Sequence, residues 1–117
     1  MTVQTREVSA NSRNAVVVDL PEEWPARASS PWDQLDLIAS LARSTHRLVL
    51  DMGELRHFDG ETAAMLVALR RSVESPDDEM SLVARAETPA AEMAIRRLRR
   101  FYPVHESLDE AIDALSR

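Results

Sequence analysis

Three short apolar runs punctuate the chain: Ala15-Val16-Val17-Val18, Leu48-Val49-Leu50 and Met80-Ser81-Leu82-Val83-Ala84. They are too short for buried helices, and the first is continuously β-branched from Val16. Such a run reads as a strand buried on both faces. Between them lie segments whose apolar residues recur at helical spacing. Strands that alternate with helices are joined by crossovers, so they predict a mainly parallel sheet with helices packed on it. The expected order is β-β-α-β-α-β-α, then a very short strand at Val104, then α. This is an α/β fold with a mixed, mainly parallel sheet of four to five strands and about four helices.

Local signals place the elements. Residues 1–14 hold an edge strand at about 3–9 and a frayed terminus. The segment 21–31 carries three of the six prolines and is a loop, with Trp24 and Trp32 folding back as lids on the core. Ser30-Pro31 and Thr88-Pro89 each pair an N-cap residue with a proline at the first helical position. The first helix is expected to run to about Arg43 with Leu37, Ile38 and Leu41 facing inward. In the second, which runs to about Val73, Met65, Leu66, Leu69 and Val73 share the core face, with Ala63, Ala64 and Val67 to the side. Ala91, Ala94, Ile95 and Leu98 mark the third buried stripe, and Pro103 stops that helix. Ser107 and Glu110 form a capping box, and Leu108, Ala111, Ile112 and Leu115 make the last helix amphipathic. Both glycines of the chain, Gly53 and Gly60, lie between strand 47–52 and the helix that Asp59 is expected to cap. Glycine there suggests unusual backbone or close approach by a partner.

At 117 residues the chain fits a single domain, 1–117, with one core. Its 14 Lys plus Arg against 20 Asp plus Glu leave a net charge of −6, which disfavours nucleic-acid backbones as partners. No run is long enough for direct membrane insertion, and residues 1–14 lack the apolar core of a secretory signal. With no cysteine there is no disulfide framework or thiolate metal site, and a cytoplasmic location is expected.

No catalytic pattern emerges. His46, His57 and His105 share no metal-ligand spacing and read as surface or loop residues, so no metal and no cofactor are expected. There is no glycine-rich phosphate loop and no nucleophile elbow. Asp51 and Asp59 form a carboxylate pair near the central loop, but Asp51 reads as a strand terminator and Asp59 as a helix cap, with no third catalytic group. Arg96, Arg97, Arg99 and Arg100 surround Ile95 and Leu98; they form a solvated face or a dock for an acidic protein.

The strand RLVLDMGELRHFD, the helix ETAAMLVALRRSV, the strand EMSLVARA, the helix TPAAEMAIRRLRRF and the ending YPVHESLDEAIDAL together resemble a STAS domain, the fold of bacterial anti-sigma-factor antagonists. The likeness covers about residues 45–115 and is weak over 1–44. It implies a non-catalytic protein that binds a GHKL-type serine kinase acting as an anti-sigma factor, or a related regulatory protein, and works as a monomer or weak dimer. It also implies a phosphorylation switch at the start of the second helix, in a motif Asp-Ser-[Ser/Thr]-Gly. Here the motif is Asp59-Gly60-Glu61-Thr62. Gly60 stands at the phosphoacceptor position without a hydroxyl, Glu61 carries fixed charge, and Thr62 aligns with the family glycine. The usual switch is therefore expected to be missing, with Glu61 a partial mimic of the phosphorylated state. The partner surface is expected to be the corner 53–67, including His57, Phe58, Asp59, Ala63, Ala64 and Val67. A nucleotide- or anion-sensing STAS module, using the N–H groups of the helix N-terminus, and a STAS subunit of a transporter assembly are the alternatives.

Overall fold

The structure is a computed structural model that describes residues 4–10, 13–20, 24, 30–52, 60–73, 75 and 77–115. Its elements are β1 (Gln4–Ala10), β2 (Arg13–Asp19), α1 (Pro31–Thr45), β3 (Arg47–Asp51), α2 (Gly60–Ser72), β4 (Glu79–Val83), α3 (Pro89–Leu98), β5 (Val104–His105) and α4 (Leu108–Leu115). The five strands form one sheet in sequence order. β1 pairs antiparallel with β2, and all other pairs are parallel. The expected mixed, mainly parallel sheet with four helices is the observed one.

Alternation along each strand divides the core. Val16, Val18, Leu48, Leu50, Met80 and Leu82 point to the face covered by α1, α2 and α3. Ala15, Val17, Val49 and Val83 point to the other face, which Leu108 and Ala111 of α4 cover. The β-branched run 15–18 is therefore buried from both sides because both faces of β2 carry helices.

The caps behave largely as their chemistry dictates. Thr88 accepts from Ala91 N–H at 3.0 Å through its hydroxyl, and Ser107 accepts from Glu110 N–H at 3.2 Å. Glu110 returns the bond to Glu106 N–H at 3.2 Å, one residue before the expected Ser107. Ser30 occupies the N-cap of α1 without a side-chain cap bond, so proline at the first helical position is the start signal that operates there.

Two expectations about α1 are corrected. The buried residues are Leu35, Ile38, Ala39 and Ala42, while Leu37 is 67% exposed and Leu41 is half-buried. The helix turns its alanines toward the sheet and α2, where short side chains permit close packing, and leaves Leu37 on its outer flank. Trp24 is fully buried and donates from Nε1 to Gln34 Oε1 at 2.7 Å, as a lid should. Trp32, at 57% exposure, is not a lid.

Tyr102 ties α3's exit to α2. Its hydroxyl donates to the Leu66 carbonyl at 2.5 Å. Burial pushes the phenol well above its ordinary value, against a smaller opposing effect of Arg70. A raised folded-state pKa means that stability is intact below the unfolded value of 10.0 and declines as pH rises above it. The chain has one tyrosine, no cysteine and no lysine, so nothing else titrates between about pH 9 and 12. Urea denaturation is expected to give constant stability from pH 7 to about 9.5 and a fall beyond. Tyr102→Phe is expected to lose about 1 kcal/mol at neutral pH and to lack the alkaline decline.

Candidate functional site

The helices α1 and α2 both return from the C-terminal edge of the parallel strands, so their N-termini lie at the same edge. α2 sits between α1 and α3 and packs on both. Its flanks are consequently covered, and its buried arc is wide: Thr62, Ala63, Met65, Leu66, Val67 and Leu69. What remains exposed is a narrow stripe of Gly60, Glu61, Ala64, Ala68, Arg71 and Ser72. Gly60, Ala64 and Ala68 recur at four-residue spacing, giving a smooth strip with an acid at the N-terminal end and a base at the C-terminal end, the arrangement that suits the helix dipole. The Arg71 guanidinium lies 5.9 Å from the Phe101 ring centroid.

This corrects the expected outer side of α2. Ala63 is fully buried and Val67 is 4% exposed, so neither side chain is open to a partner, whereas Ala64 is. Ala68, unremarked in the sequence, joins it. His57, Phe58 and Asp59 fall outside the described residues, as does Gly53.

At the phosphosite-equivalent positions, Gly60 begins the helix without a positive φ, and a Cβ built on it meets nothing within 4 Å. Neither helix geometry nor crowding requires glycine there. Gly60→Ser is thus expected to fold with stability within about 0.5 kcal/mol of wild type. Glu61 is exposed and Thr62 is 1% exposed. The hydroxyl nearest the family position is therefore shielded by the core.

Of the two carboxylates, Asp59 falls outside the described residues. Asp51 stands at the end of β3 on the α4 face, within 3.9 Å of Arg6 on β1. The same guanidinium binds Asp19 through Nε at 3.2 Å. One arginine thus bridges the carboxylates that close β2 and β3, a structural arrangement at the strand ends. His46 is exposed, in keeping with the expected surface or loop position, and has a structural role as well. It is the only described non-glycine residue with positive φ, at 64°, and forms the left-handed C-cap of α1. Its Nδ1 lies 2.6 Å from Asp78 Oδ1, and its carbonyl accepts from Glu79 N–H at 2.8 Å, so it welds α1 to the start of β4. The sequence signal for it was an Asx-free, glycine-free junction between helix and strand, where histidine is among the residues that tolerate this conformation. Among the described residues there is no cluster of three or more His, Cys, Asp or Glu that would hold a metal ion. No described helix is long and apolar enough to cross a membrane.

No protein-family model and no curated protein sequence matches the chain. Solved structures do. An anti-sigma factor antagonist from Mycobacterium paratuberculosis superposes with a TM-score of 0.69 at 16% identity, covering 99% of this chain and 96% of that one. An anti-sigma-factor antagonist (STAS) domain protein from Planctomyces limnophilus superposes with a TM-score of 0.63 at 13% identity, covering 97% and 98%. The likeness spans residues 1–44 as well, where the sequence resemblance was weak. Sheet order, helix placement and these superpositions agree: the chain has the STAS fold.

Proposed function

We propose that the chain is a regulatory protein-binding module of the anti-sigma-factor-antagonist kind, engaging a GHKL-type kinase or a related regulatory protein through the outer strip of α2 and the adjoining loop 53–59. One observation carries this reading: on a fold shared with solved antagonists, α2 exposes a strip of Gly60, Ala64 and Ala68 with no large side chain along it. A partner backbone can approach such a strip closely, and the exposed ends, Glu61 and Arg71, fix its orientation.

The module operates without phosphorylation at the usual position. Gly60 and Glu61 lack hydroxyls, and Thr62 is buried. The partner's occupancy is then set by abundance and competition, not by a phosphate that would add about −1.5 to −2 charge to the interface. The test is incubation with the GHKL-type kinases of the source organism, ATP and magnesium, followed by mass spectrometry and size-exclusion chromatography. The expected result is an unlabelled wild-type protein in a stable complex, with Gly60→Ser gaining label. Label on wild-type Thr62, or no complex with any such kinase, contradicts the reading.

A further inference from the structure

Helices packed side by side stand about 8–10 Å apart, roughly the width of two strands. Three helices, α1, α2 and α3, line one face of the five-stranded sheet, and α1 lies over β2 and β3. Among the described residues, that leaves β1 without a helix on this face. Its residues there, Thr5, Glu7 and Ser9, are all exposed. Between β1 and the flank of α1 turned away from α2 runs a groove of about 610 Å³, lined by Thr5, Gln34, Leu37, Ile38, Leu41 and Ser44 among others.

The groove has the features of a helix seat. Leu37, Leu41 and Ser44 follow the i, i+4, i+7 spacing of one helical ridge, and Gln34 continues it by one turn. Serines 40 and 44 are small enough to admit a neighbouring ridge. The 15 residues of α1 give it a length of about 22 Å, enough for four turns of a partner. Leu37, 67% exposed, forms much of the apolar wall of the groove. Among the described residues, no basic side chain lines the groove. Its rim carries exposed Glu7 on β1 and exposed Asp33, one turn before Leu37 on the same flank of α1, and neither forms an ion pair among the described residues. We infer that this groove is a second docking site, which takes a cationic amphipathic helix of a partner protein: its apolar stripe fills the missing helix position over β1, and its Lys or Arg residues face Glu7 and Asp33.

The probe is a fluorescein-labelled 14-residue amphipathic helix of leucine and lysine, titrated with the full chain by anisotropy at low and physiological salt. Expected are a dissociation constant in the range of about 10–100 μM, a weakening of at least tenfold in Leu37→Asp and in Ser44→Arg, and no change in Met93→Asp, which alters an exposed apolar residue on α3 outside the groove. Both groove variants alter exposed positions, and circular dichroism checks that they remain folded. Amide chemical-shift changes confined to β1 and α1 complete the expected result. The inference is overturned by no binding up to about 1 mM or by equal loss in all three variants. It is also overturned by a self-association that Leu37→Asp abolishes, or by binding to anionic vesicles in preference to the peptide.

Discussion

Ala64→Arg is expected to weaken the complex with the proposed GHKL-type partner by about two orders of magnitude, about 2.7 kcal/mol, while leaving the protein folded. Ala64 is exposed at the centre of the α2 strip, between Gly60 and Ala68. A long, charged side chain there holds the partner backbone away and buries a guanidinium without a counter-charge. Arginine is nearly as good a helix former as alanine, so the isolated protein should lose no more than about 0.5 kcal/mol. Titration calorimetry and thermal melting separate the two effects. The matched change Ala90→Arg on α3, also exposed but off the strip, serves as control. Comparable loss from that control would move the interface to α3.

Trp24→Ala is expected to have the largest effect on stability, about 3–5 kcal/mol. Trp24 is the largest fully buried side chain among the described residues, and its removal leaves a cavity in the core and an unpaired Gln34 Oε1. Domains of this size usually have about 5–15 kcal/mol in total, so the variant should unfold at a much lower urea concentration. Trp24→Phe keeps most of the buried area but not the 2.7 Å bond to Gln34, and should cost about 1–2 kcal/mol. If the alanine variant lost less than about 1 kcal/mol, Trp24 would not be part of the core.

Much of the fold was legible because the central strands are buried on both faces. Val16–Val18 and Leu48–Leu50 are buried on both faces by helices, so their runs are unbroken and their identity as central parallel strands follows from composition. The caps at Thr88 and Ser107 were legible because their hydroxyls act locally. Helix faces were less so. For α2, a helix with neighbours on both flanks buries residues well outside a single stripe, which is why Ala63 and Val67 are inside. For α1, hydrophobic weight favoured Leu37 over Ala39 and Ala42, although the alanines fit the tight seam against the sheet and the leucine does not. His46 depends on Asp78, 32 residues away, a partnership that no local pattern encodes. Of the expected partner surface, the order of elements located the corner, but not which side chains face out. Gly60 drew attention as a conformational feature, and the structure removes that reason: it begins an ordinary helix with open space beside it. In the proposed function its significance lies in the hydroxyl it lacks.

The measurement that tests the account most directly is a calorimetric titration of the wild-type chain, Ala64→Arg and Gly60→Ser with the GHKL-type kinase, before and after incubation with ATP and magnesium. The account predicts that wild type binds equally well before and after incubation. It predicts that Ala64→Arg binds about 100-fold more weakly in both conditions. Wild type that loses binding after ATP, or Ala64→Arg that binds like wild type, would contradict it.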